Sequence, residues 1–104
     1  MTVLAIDRSS SDGVAQVALS GDVDLAAAPV IRAKIKALLR EDATAGIVVD
    51  LSAVRFIDSS GIGLLIGCRR IAADRSKTFR AGAATGQVAV ILGRTGVTEL
   101  LAGR

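Results

Sequence analysis

Apolar and polar residues alternate over Val14–Ser20, with Ala15, Val17 and Leu19 on one side and Val14, Gln16 and Ala18 on the other. That two-residue period predicts a strand. Val3–Asp7 reads as a shorter strand before it, and the Ser/Asp/Gly-rich link Ser9–Gly13 predicts that the two form a hairpin. Gly21-Asp22-Val23-Asp24 interrupts the alternation. A helix is expected from about Pro29, a residue well tolerated at a first helical position, with Ile31, Ile35 and Leu38 as its inward stripe and Leu39 beside it. Ile47-Val48-Val49, running to Asp50 and Leu51, is an unbroken β-branched stretch of the kind found in a central strand covered on both faces. Ser52–Ile57 then reads as a link to a second helix over about Ser59–Ala73. Lys77–Ala83 is a short, Gly-interrupted strand candidate. Val88–Leu92 starts a third helix, punctuated by Gly93 and Gly96, and Thr98–Leu101 forms a last turn.

Two strands followed by alternating helix and strand imply an α/β layer: a mixed, mostly parallel sheet of four to five strands with helices packed against it. The 104 residues fit one domain, expected over residues 1–104. Half of them are apolar and only Phe56 and Phe79 are aromatic, so the core is expected to be aliphatic.

Composition removes several chemistries. Without histidine, imidazole acid–base catalysis, Ser–His–Asp triads and His-ligated metals are unavailable. The single cysteine, Cys68, cannot close an internal disulfide or a thiolate cluster and reads as a small buried hydrophobe. No catalytic residue, metal or cofactor is expected, and a lone thiol suits a reducing compartment, here the cytoplasm. Met1–Asp7 lacks the features of a leader, and the longest apolar stretch, Gly61–Cys68, is far shorter than the ~20 residues of a bilayer span, so no direct membrane insertion is expected. The formal charge is +3. Arg32, Lys36 and Arg40 line one helix, and Arg69, Arg70, Arg75, Lys77 and Arg80 make a second cluster. With no stacking aromatics or recognisable motif among them, these read as solvated faces or as contacts to an acidic protein, and no nucleic-acid partner is expected.

The segment Phe56-Ile57-Asp58-Ser59-Ser60-Gly61-Ile62-Gly63 carries the most information. Asp58 is placed to cap the second helix. Ile57 and Ile62 then fall at the two positions of a hydrophobic staple. Ser59 becomes the first helical residue, its hydroxyl outward. Taken alone, this is also what any well-made helix start looks like. It is not a nucleotide loop, because Gly63 and Gly67 are separated by three residues where a dinucleotide fingerprint has two, and no Gly-Lys-Ser/Thr is present. The glycines either let the helix pack closely on the sheet or leave room for a partner's backbone.

Three segments in this order resemble the STAS family of anti-sigma factor antagonists. They are Leu19-Ser20-Gly21-Asp22-Val23-Asp24, Val48-Val49-Asp50-Leu51-Ser52 leading to Asp58-Ser59-Ser60-Gly61, and Leu92-Gly93-Arg94-Thr95-Gly96-Val97. The resemblance implies that Ser59 is phosphorylated by an anti-sigma factor serine kinase. It further implies that the unphosphorylated chain binds that kinase and releases a sigma factor, and that a phosphatase acting on phospho-Ser59 restores binding. Asp22, Asp24, Asp58, Ser59, Ser60, Gly61 and Ile62 are the implied partner-binding positions. Asp22 and Asp24 serve either as turn-formers or as partner contacts, and Asp50 reads as structural. Two departures stand out: Gly82–Gln87 lacks a proline entering the last helix, and the charge balance is basic. The alternative is a STAS subunit of a membrane lipid-transport complex or a sensory assembly, with no phosphate cycle.

Overall fold

The computed structural model describes residues 3–7 and 12–102, so Ser9, Ser10 and Ser11 of the expected turn lie outside the described residues. The elements run β1 (Val3–Asp7), β2 (Val14–Val23), α1 (Ala28–Arg40), β3 (Gly46–Ile57), α2 (Ser59–Asp74), β4 (Thr78–Gly82), α3 (Gly86–Arg94) and α4 (Val97–Leu101). They form an α/β domain around one four-stranded mixed sheet of order β1-β2-β3-β4. β1 is antiparallel to β2, as the hairpin pattern predicts, and the β2–β3 and β3–β4 pairs are parallel.

Alternation decides which side of the sheet is covered. Ala15, Val17 and Leu19 of β2, Ile47, Val49 and Leu51 of β3, and Phe79 and Ala81 of β4 are buried. They share one core with Ile31, Ile35, Leu38 and Leu39 of α1 and Leu64, Leu65, Cys68 and Ala72 of α2. Gln16, Ala18, Asp50, Arg80 and Gly82 point the other way and are exposed, with Val48 half-buried. The expectation that β3 is covered on both faces is therefore corrected: it is central, but one face is open, and the β-branched run reflects packing on a single side.

Two strand boundaries also move. β2 continues to Val23 instead of ending at Ser20, and Ser52–Ile57 is not a link but the second half of β3. The register explains why both were hidden. Ala18 pairs with Asp50 but Ser20 with Ala53, and Gly21 pairs with Val54 but Asp22 with Phe56, so β3 gains one residue at each of two bulges. Its buried residues then fall at Leu51, Val54 and Ile57, every third position, which breaks the two-residue signature. Gly21 does not end its strand; its φ of +84° is the left-handed conformation that a bulge can use and that only glycine adopts cheaply. α3 begins at Gly86, two residues ahead of the expected Val88.

Lys77 departs from the solvated basic cluster. Its ammonium donates to the carbonyl oxygens of Leu39 at 2.6 Å and Glu41 at 2.8 Å, capping the C-terminal end of α1, where the Glu41 carbonyl also accepts the Thr44 amide at 3.0 Å. Cys68 is buried as expected. Burial pushes its thiol from the ordinary 9.0 up to about 11, outweighing the opposing fields of Arg32 and Lys36. Among the described residues, no helix is long and apolar enough to cross a membrane.

Two predictions follow from these burials. Lys77→Met keeps the apolar stem but removes the charged donor from the Leu39 and Glu41 carbonyls, the second of which retains the Thr44 amide, so it should lower unfolding stability by about 1–3 kcal/mol in urea titrations. No loss would show that water replaces the ammonium there. For Cys68, a folded value above the unfolded one means full stability below about pH 9, lost as pH rises towards 11. The loss should reach about 2–3 kcal/mol and be missing from Cys68→Ala, measured as the difference between the two pH profiles. Parallel profiles would contradict this.

Candidate functional site

The mouth of α2 is built from local chemistry. Asp58 is extended and its Oδ1 accepts the Gly61 amide at 3.0 Å, while its backbone carbonyl accepts the Ile62 amide at 3.0 Å. The cap ends strand geometry and starts the helix within one residue. Ser59 is the first helical residue and its side chain is exposed; Ser60 is half-buried and Gly61 buried. Ile57 is buried and Ile62 packs half-buried against the core, so both staple positions face inward.

The end of β2 is fastened to this mouth. The Asp58 amide donates to the Val23 carbonyl at 3.4 Å. A Cβ at position 61 would overlap that same carbonyl oxygen and the Ile57 side chain, so only glycine lets α2 sit this close. At Gly63 and Gly67 a Cβ would meet nothing within 4 Å. The two uses expected of the glycines are thus divided: Gly61 serves close packing, whereas Gly63 and Gly67 leave space beside the helix.

Fastening Val23 brings its acidic neighbours to the same corner. Asp24 is half-buried and its Oδ1 accepts the Ala27 amide at 3.0 Å, holding the turn into α1. Asp22 is not a turn residue: it lies in β2 opposite Phe56, and its carboxylate is 3.5 Å from the Arg55 guanidinium. Asp50 stands apart, midway along β3. Its Oδ1 accepts the Ser52 amide at 2.9 Å across the first bulge, and bonds from the Ser52 backbone and then its hydroxyl hold the carboxyl below its ordinary 3.8. Among the described residues no group of acidic or thiol side chains is arranged to hold a metal ion.

Three residues of this corner escape sequence reasoning. Leu25 and Phe56 are large apolar side chains left 73% and 43% exposed beside Asp24 and opposite Asp22. Arg55 sits at the second bulge, where it has no cross-strand partner, and its carbonyl accepts the Gln87 side-chain amide at 3.0 Å. The three-residue spacing of Leu51, Val54 and Ile57 is the signal that could have revealed the bulged strand and with it Arg55.

Residues 6–102 match the family model described as "Mlab, STAS domain". The chain belongs to the STAS-domain family. It is similar to an anti-sigma-B factor antagonist of Staphylococcus aureus, 24% identical over 98 residues, covering 94% of this chain and 90% of that protein. It also resembles the crystal structure of an anti-sigma factor antagonist from Mycobacterium paratuberculosis, with 27% identity, a TM-score of 0.76, and coverage of 97% of this chain and 83% of that one. The Bacillus cell fate determinant SpoIIAA in its phosphorylated form has the same fold, at 22% identity and a TM-score of 0.70, covering 93% of this chain and 86% of that one.

In this STAS domain the two glycine environments make opposite predictions. Gly61→Ala should cost about 1–3 kcal/mol, the scale of an overpacked core, because the obstacle is backbone. Gly63→Ala should raise stability by about 0.5–1 kcal/mol, because it adds helix propensity in open space. Denaturant midpoints of the two variants decide it; equal changes would contradict the assigned packing.

Proposed function

We propose that this STAS-domain protein is an anti-sigma factor antagonist whose unmodified form binds an anti-sigma factor serine kinase and so releases a sigma factor. Phosphorylation of Ser59 ends that binding, and a phosphatase restores it. The observation that carries the reading is an exposed Ser59 hydroxyl at the mouth of α2, with open space at Gly63 and exposed Leu25 and Phe56 at the same end of the fold. A partner backbone can approach α2 where no Cβ stands, and the apolar side chains give it surface to bury. In the transfer, the Ser59 oxygen forms a bond to the γ-phosphorus of ATP as the bond from that phosphorus to the β–γ bridging oxygen breaks. The hydroxyl proton passes to a base of the kinase, and ADP leaves.

Charge explains the direction of the switch. A phosphoserine adds roughly −1.5 to −2 charges. The α2 N-terminus favours that anion by about 0.3–1 kcal/mol, enough for the fold to tolerate it. Asp58 and the nearby Asp22 oppose it, and enclosing an incompletely paired dianion in an interface costs far more than a helix dipole returns. In this reading Asp22, Asp24, Asp58, Ser60, Gly61 and Ile62 frame the contact, Asp24, Asp58 and Gly61 chiefly by holding its shape. The kinase and phosphatase meet the chain in the cytoplasm.

A second reading is supported by the wording of the family model, which names Mlab: a STAS subunit of a membrane lipid-transport complex, using the same surface without a phosphate cycle.

Incubation with candidate anti-sigma factor kinases and ATP, followed by mass spectrometric mapping, separates the two. Phosphate is expected on Ser59 and none on Ser59→Ala, and Ser59→Asp should weaken kinase binding at least about tenfold, or about 1.4 kcal/mol. Label on another residue, or co-purification with a membrane transport complex irrespective of Ser59, would contradict the switch.

A further inference from the structure

Arg55 is placed by an irregularity that the fold does not otherwise need. It is the extra residue of the second β3 bulge, a device that re-aims a side chain, and its guanidinium is directed to Asp22. The backbone there is held by the bond from Gln87 to its carbonyl, whereas the side chain is 73% exposed. Its ion pair is a single contact at 3.5 Å, the kind of exposed pair worth about 0–1 kcal/mol. Asp22 adjoins Val23, and the Val23 carbonyl accepts the amide of Asp58, the residue before Ser59. The loosely engaged guanidinium is thus joined, through Asp22 and the Val23–Asp58 bond, to the strand end on which the Ser59 cap is fastened.

We propose that Arg55 reads the phosphate: when Ser59 is phosphorylated, the guanidinium leaves Asp22 and pairs with the phosphoryl oxygens. This rests on the reading of Ser59 as the modified hydroxyl and adds the residue that responds to it. A dianion with three acceptor oxygens takes the planar fork in two parallel bonds, an arrangement the single long contact to Asp22 does not offer. The α2 N-terminus pulls the phosphate the same way, and the carboxylates of Asp58, Asp24 and Asp22 oppose it. The exchange changes two places at once, because the Arg55 contact to Asp22 breaks as Ser59 gains charge. The modification is thereby felt on β2 as well as on α2.

The test uses the full chain carrying phosphoserine at 59, introduced during synthesis so that no kinase is required, and follows the phosphorus NMR signal through a pH titration. The second ionisation of a phosphoserine lies near 6. Arg55 should hold it at least about half a unit below the value in Arg55→Gln, roughly a threefold difference in proton affinity. The gap should narrow but persist in about 1 M salt, where only charges farther apart than ~3 Å are screened out. Arg55→Lys, which keeps the charge and loses the fork, should fall between them, and Asp22→Asn should lower the midpoint further by removing the competitor. Equal midpoints in the wild type and Arg55→Gln would overturn the proposal while leaving Ser59 as the phosphorylated residue. Failure of kinases to label Ser59 would instead sink the switch without moving this titration.

Discussion

Position 61 bears no side chain, and the placement of the whole site depends on it. A Cβ there would strike the Val23 carbonyl, so the bare backbone lets α2 sit directly on the end of β2. The Asp58 amide can then reach that carbonyl, joining the helix cap to the neighbouring strand. With β2 fastened, Asp22 and Asp24 come to the corner from which Ser59 projects. One close backbone contact thus assembles residues from two distant parts of the chain, with Ser59 exposed as the first residue after the cap.

The surface that results is poised rather than strained. The helix N-terminus attracts an anion, and the carboxylates around it repel one, so a phosphate at Ser59 changes the surface field without asking the core to move. Asp24 and Asp58 each hold a backbone amide, which keeps the corner in shape. Arg55 is held by the Gln87 bond to its carbonyl and by a single long contact to Asp22, and its side chain is the exposed cation of the set. In the proposed antagonist the modification works by altering what a partner meets, and the aliphatic core beneath stays as it is.

Much of this was legible in the sequence because it is local. Asp58 as cap, Ile57 and Ile62 as inward positions, Ser59 as an outward first residue, and the α1 stripe all follow from spacing within a turn or two. What stayed hidden depends on pairing between distant segments. The bulges at 51–53 and 55 turn the buried period of β3 from two to three, so half of a long strand read as a link and Arg55 had no assigned place. Lys77 looked like one more solvated cation, and only the fold shows its ammonium meeting the carbonyls of Leu39 and Glu41. The unbroken Ile47–Val49 run suggested a strand covered twice, because β-branched residues suit any pleated surface and do not reveal an open face.

The central claim is that the chemical state of one outward oxygen alters a corner of the surface and nothing beneath it. Backbone amide shifts of the full chain, recorded with serine and with phosphoserine at 59, test this most directly. The account predicts changes confined to residues 22–24 and 55–63, with the core amides of α1 and β4 unmoved. Shifts spreading through α1 and β4, or none at residues 22–24, would show that the modification acts by rearranging the fold or leaves β2 untouched, and would contradict it.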